Sequence, residues 1–76
     1  MKEIKFNKKE KQVLDIIQEK GEFNLTGNSG FKSTVLELQF KMMIERDLDK
    51  GITFIWRLTP LGKKALEWNE AVKMLQ

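Results

Sequence analysis

The chain has 76 residues, enough for one domain, and its 41% hydrophobic and 33% charged residues are typical of a folded globular protein. It contains neither cysteine nor histidine, which excludes disulfides, zinc–thiolate sites and the commonest general base, so we expect no enzyme activity, no metal and no cofactor. The net charge of +3 suits an anionic partner. Since we find no apolar run typical of an export signal or a membrane span, we expect a cytoplasmic chain that does not bind membranes.

A first helix is predicted over residues 8–20. Asn7 has the side chain of a good N-cap, and Glu10 stands where a capping box requires an acid. Gly21 follows the last helical residue and predicts a left-handed end. The apolar face consists of Val13, Leu14, Ile16 and Ile17.

Residues 22–26 are predicted to be extended, and the glycine-containing residues 27–30 to form a loop. A second helix is predicted over residues 33–47, with Ser33 as its cap. Its apolar residues form two stripes, one of Leu36, Phe40, Met43 and Ile44, the other of Val35, Leu38 and Met42. A surface helix needs only one stripe, so we expect this helix either to be sandwiched or to contact another chain.

A tight turn is predicted at residues 49–51, followed by a strand over residues 52–58 that forms a hairpin with residues around 46–48. Strict alternation places Ile52, Phe54, Trp56 and Leu58 on one face, and Thr53, Ile55 and Arg57 on the other. On this pattern Trp56 is a core residue.

Thr59 and Pro60 predict the start of a last helix, over residues 60–75. Its apolar side chains recur at heptad spacing, which is typical of a helix-pairing seam: Leu61, Ala65, Trp68, Val72 and Leu75. We therefore expect a homodimer formed through this helix.

The segment Trp-Arg-Leu-Thr-Pro-Leu-Gly-Lys-Lys-Ala-Leu, residues 56–66, resembles the end of the wing and the following helix in MarR-like and PadR-like winged-helix regulators of prokaryotes and phages. Residues 32–35 look like the start of that family's recognition helix, and residues 22–26 look like its first strand. The resemblance implies an α+β fold, a winged helix-turn-helix with three helices and a small two- or three-stranded antiparallel sheet. It also implies one domain over residues 1–76 that binds double-stranded DNA as a transcriptional regulator.

In that family the N-terminal part of the recognition helix enters the major groove. The resemblance therefore implies DNA contacts from Lys32, Ser33, Thr34, Glu37 and Lys41, with Lys50 in the wing. The basic run before and within the first helix turn, Lys2, Lys5, Lys8, Lys9 and Lys11, is interpreted as a solubilising surface in preference to a phosphate-binding one.

Two features depart from the family pattern. The stretch between Leu25 and Ser33 is too short for a whole helix and a turn, and residues 49–51 leave no long basic wing. These departures favour an alternative function, a protein-interaction module such as a phage-encoded inhibitor that binds a host protein on a degenerate winged-helix scaffold. Its expected contact surface is the stripe of Val35, Leu38 and Met42.

Overall fold

The computed structural model describes residues 2–50 and 54–75. Within these ranges the chain forms three α-helices and a three-stranded antiparallel sheet, which confirms the expected α+β class. The elements in chain order are α1 (Lys8–Lys20), β1 (Phe23–Asn24), α2 (Lys32–Phe40), β2 (Ile44–Arg46), β3 (Ile55–Leu58) and α3 (Pro60–Met74). Short 3₁₀ turns at Ser29–Phe31 and Leu48–Lys50 precede α2 and follow β2.

The caps predicted from sequence are confirmed at both long helices. At α1 the Asn7 side chain accepts from the Glu10 amide at 2.8 Å, and the Glu10 carboxylate accepts from the Asn7 amide at 3.0 Å. Gly21 ends α1 with φ 85. At α3 the Thr59 hydroxyl accepts from the Gly62 amide at 2.9 Å.

The predicted second helix is wrong at both ends. Ser33 is not its cap, because α2 already begins at Lys32. Its C-terminal end is closed by Met42, which adopts φ 65 and donates to the Gln39 carbonyl at 2.9 Å. The Met43 amide donates to the Leu38 carbonyl at 3.0 Å, so the two bonds form a Schellman-type stop.

Within the remainder of the predicted helix, a turn at residues 41–43 is followed by strand β2. Ile44 is buried and lies opposite Leu58 in the antiparallel pairing with β3. Residues 41–45 have ordinary helix propensity, but propensity is a weak preference that tertiary pairing overrides. Here the sheet supplies partners for the backbone and buries Ile44.

The sheet has the order β1-β3-β2, so β3 is the central strand. The predicted strand should alternate between buried and exposed residues, but Phe54 is exposed whereas Ile55 and Trp56 are both buried. Arg57, which shares a face with Ile55, is exposed, so burial on that face is limited to the start of β3. The predicted partner residues 46–48 overlap β2 only at Arg46, and residues 51–53 of the predicted turn and strand lie outside the described residues.

The core lies between α1, α2 and the sheet, with α3 contributing Ala65 from one side. Its fully buried large side chains include Leu14, Ile17, Phe23, Leu38 and Ile44. The N-terminal segment is held along α3, where the Asn69 side chain accepts from the Ile4 amide at 2.7 Å and donates to the Ile4 carbonyl at 2.9 Å. Among the described residues, no helix has both the length and the apolar character needed to cross a membrane.

Candidate interaction surface on the second helix

The residues predicted to contact DNA do not form one face. Lys32, Ser33 and Glu37 are exposed on α2, but Thr34 is only 4% exposed and belongs to the buried side. The side chain of Lys50 lies outside the described part of the chain. The structure therefore exposes only some of the side chains that were predicted to contact DNA.

Lys41 is held by an ion pair within the chain. Its Nζ lies 2.8 Å from Oε2 of Glu10, a side chain that is 2% exposed and also completes the α1 capping box. A carboxylate buried to this degree requires compensation, and Lys41 supplies it. Lys41 thus fastens the C-terminal end of α2 to the start of α1.

The outward side of α2 carries two large apolar side chains. Leu36 is 53% exposed and Phe40 is 91% exposed, and they are separated by one helical turn. This corrects the predicted contact stripe: Val35 and Leu38 are buried in the core, and of that stripe only Met42 is exposed. Since both predicted stripes are apolar, either could face the core. In the structure the Val35 side of α2 packs against α1 and the sheet, and the Leu36 side faces outward.

A shallow groove, wide open to solvent, runs between the start of α1 and the outward side of α2. Its first part, of about 490 Å³, is lined by Asn7, Glu10, Leu36, Glu37, Phe40 and Lys41. Its second part, of about 340 Å³, is lined by Asn7, Lys8, Lys9, Ser33, Thr34 and Glu37. Asn7 and Glu37 line both parts, so the two are continuous, and we name this feature the α1–α2 groove.

The basic end of the α1–α2 groove is fixed by Lys9. Its Nζ donates to the Gly30 carbonyl at 3.3 Å and lies 5.7 Å from the centre of the Phe31 ring. Phe31 in turn packs edge-on against Phe23 of the core, with ring centres 5.8 Å apart. The 3₁₀ turn before α2 is thereby attached to both α1 and the sheet.

The hairpin, in contrast, offers little free positive charge. Arg57 Nε lies 3.1 Å from Glu45, and its Nη1 lies 3.9 Å from Asp47 and 3.8 Å from Asp49. A guanidinium surrounded by three carboxylates is already neutralised. The part of the hairpin that the structure describes therefore gives weak attraction for phosphate.

The predicted dimer seam on α3 is divided by burial. Ala65 and Val72 are buried within the chain, whereas Leu61, Trp68 and Leu75 are exposed. The Trp68 indole N–H donates to the Lys2 carbonyl at 2.9 Å. The homodimer stays a prediction, and its surface in this conformation is reduced to the three exposed side chains.

Sequence reasoning missed the outward pair and the second role of Glu10. Leu36 and Phe40 stood in the stripe assigned to packing, and the i, i+4 spacing of two large apolar residues was the available signal. The ion pair of Glu10 with Lys41 joins residues distant in the chain, and no local pattern indicates it.

Comparisons with protein-family models, with curated proteins and with solved structures found no significant match. Among residues 2–50 and 54–75, no group of three or more acidic side chains is arranged to hold a metal ion. The function must therefore be inferred from the surface itself.

Proposed function

We propose that this chain is a non-catalytic binding module on a winged-helix scaffold, and that it binds a protein partner through the outward side of α2. The scaffold assignment is supported by the chain order helix, strand, helix, hairpin, helix and by the antiparallel pairing of β1 with β3. A fold of this kind does not by itself determine the ligand. The choice of ligand rests on the side chains that α2 exposes.

The observation that carries the proposal is the 91% exposure of Phe40 beside Leu36. Contiguous exposed apolar surface is typical of interaction sites, and Leu36 and Phe40 are neighbours on one side of α2. Phenylalanine, like the other aromatic residues, is also enriched at the core of protein–protein interfaces. A DNA-reading helix would instead offer donors and cations here, but Thr34 is buried and Lys41 is bound to Glu10.

The test is affinity capture from a lysate of the native host, followed by titration of the purified partner. Phe40→Ser should weaken binding by about 30-fold or more, the effect of losing a contact worth ~2 kcal/mol. Met74→Ser is the matched control, because Met74 is equally exposed at 84% but lies at the far end of α3. Equal binding by the wild type and Phe40→Ser would exclude the α2 surface.

A second candidate is the DNA-binding transcriptional regulator. It is favoured by the basic end of the groove, where Lys8 and Lys9 stand beside Ser33 next to the start of α2. A homodimer through Leu61, Trp68 and Leu75 would serve this function, because paired recognition helices bind half-sites about 34 Å apart.

Titration of random duplex DNA at several salt concentrations separates the two candidates. DNA binding predicts a linear log–log salt dependence whose slope falls by about one unit for each lysine contact removed. Lys32→Glu would show that loss, whereas Phe40→Ser would change the slope little. A chain that binds a protein through Phe40 and shows no such slope is not a DNA-binding regulator of this type.

A further inference from the structure

The two ends of the α1–α2 groove are lined by side chains of different polarity. Leu36 and Phe40 line one end, and Lys8 and Lys9 line the other. Lys32, the first residue of α2, is exposed and directly precedes Ser33, which lines the basic end. A ligand that fills the groove must therefore be apolar at one end and compatible with positive charge at the other.

The charges at the basic end are available to a ligand. Within residues 2–50 and 54–75, the ammonium groups of Lys8 and Lys32 have no carboxylate partner. Lys8 and Lys32 are also the first residues of α1 and α2. The N-terminus of α2 has no acidic residue in its first turn and adds positive potential, whereas that of α1 is offset by the carboxylate of Glu10. At the apolar end, by contrast, the charge of Lys41 is balanced by Glu10.

Resting on the proposed function, we propose that the partner segment is an amphipathic helix with acidic side chains at one end and large apolar side chains at the other. The apolar end lies on Leu36 and Phe40, and the acidic end faces Lys8 and Lys32. Glu37, which lines both parts of the groove, disfavours an acid at the middle of the segment. This charge complementarity fixes the direction of the segment as well as its composition.

The groove also sets the spacing within the partner helix. Ser33 and Phe40 are seven residues apart in the same helix, which corresponds to about 10 Å along its axis at ~1.5 Å per residue. The acidic and apolar anchors of the partner must span the same distance, or about two helical turns. Apolar anchors at i and i+3 or i+4 would cover the Leu36–Phe40 pair.

The experiment is selection from a display library of random peptides, each about five helical turns long. The full chain is the bait, and the Phe40→Ser variant is used for counter-selection. Enriched peptides should combine paired apolar residues with an acidic cluster about two turns away. In titrations with the best peptide, Lys8→Glu with Lys32→Glu should weaken binding about tenfold or more at low salt, and this difference should shrink at high salt. Met74→Ser should bind like the wild type.

The outcomes distinguish this inference from the function on which it rests. Peptides that require Phe40 but are neutral or basic would overturn the acidic partner and leave the protein-binding function standing. Failure to enrich any peptide that depends on Phe40 would overturn the helical-segment inference, while the function is decided by capture of the native partner. If no peptide depends on Phe40, and random duplex DNA binds with an affinity that falls in Lys8→Glu with Lys32→Glu but not in Phe40→Ser, the basic end belongs to nucleic acid and both the inference and the protein-binding function are overturned.

Discussion

Gly62 stands where the start of α3 meets the chain between α2 and β2. A Cβ at this position would lie deep inside the contact distance of the Met43 carbonyl oxygen, and 3.2 Å from Cδ2 of Leu58. The same Met43 oxygen accepts from the Thr59 amide at 3.1 Å. The Thr59 hydroxyl donates to the Met42 carbonyl at 2.6 Å and lies 3.1 Å from the Met43 oxygen. We therefore predict that Gly62→Ala destabilises the protein, although alanine is the better helix former.

The magnitude follows from two opposing effects. In a helix interior, alanine is favoured over glycine by about 1 kcal/mol. Overpacking costs about 1–3 kcal/mol and occasionally more, and here the obstacle is backbone and not the end of a flexible side chain. Moving Met43 also strains the hydrogen bonds to Thr59, each worth about 1 kcal/mol. The free energy of unfolding should fall by about 1–3 kcal/mol, or roughly 5–20 °C in Tm for a chain of this size.

Urea and thermal unfolding followed by circular dichroism measure this difference. Gly30→Ala is the matched control, because a Cβ at Gly30 would meet nothing within 4 Å and its φ is not left-handed. The control should be neutral or gain up to about 1 kcal/mol. If Gly62→Ala unfolds at the same urea concentration as Gly30→Ala, α3 does not approach Met43 as described.

Three further predictions concern the core, the α1–α2 ion pair and the oligomeric state. Trp56 is 6% exposed, so Trp56→Ala should lower the free energy of unfolding by about 3–5 kcal/mol in urea titrations, and wild-type melting would contradict its place in the core. Lys41→Met should cost about 1–2 kcal/mol because it leaves the carboxylate of Glu10 without its cation, and an unchanged urea midpoint would show that this pair is not formed. Sedimentation equilibrium at micromolar concentration should give twice 8.9 kDa if α3 dimerises, with Trp68→Glu reducing the mass to one chain, whereas a wild-type mass near 8.9 kDa would exclude the dimer.

The elements predicted most accurately are those whose signals are local. α1 begins and ends as predicted because Asn7, Glu10 and Gly21 act within one turn of its ends. The start of α3 was predicted equally well from Thr59 and Pro60. These caps do not depend on the rest of the fold, and they can therefore be recognised in the sequence alone.

The errors occur where distant contacts decide the structure. No local signal ends α2 at Phe40, since Met42 is not a residue that favours the left-handed conformation. α2 ends there because the residues that follow pair with β3 as strand β2 and do not continue the helix. Gly62 illustrates the same limit, because the sequence shows only its weak helix propensity, whereas the reason for a glycine is the approach of Met43.

The sequence indicated more apolar surface on α2 than the core needs, but the exposed part was expected on the wrong stripe. Two apolar stripes on one helix indicated that α2 contacts more than the core, and the exposure of Leu36 and Phe40 agrees with a second contact surface. Which stripe faces outward depends on how α2 rotates against α1 and the sheet. Stripes of similar hydrophobicity do not determine that rotation, so the outward one was assigned wrongly.

The α1–α2 groove is held at both ends by lysines of the chain itself. Lys9 joins the start of α1 to the Gly30 carbonyl, and Lys41 joins the end of α2 to Glu10. Because Lys9 and Lys41 are already held, a ligand does not have to order them, which would otherwise cost about 0.5–1.5 kcal/mol for each long side chain. The exposed side chains of Leu36 and Phe40 still have to be ordered. Lys41 should therefore influence binding indirectly, by setting the position of Phe40 relative to α1. On this reasoning Lys41→Met lowers both the free energy of unfolding and the affinity for a partner that contacts Phe40, whereas Phe40→Ser lowers the affinity with the free energy of unfolding unchanged. The two variants thus separate support of the surface from contact with the partner.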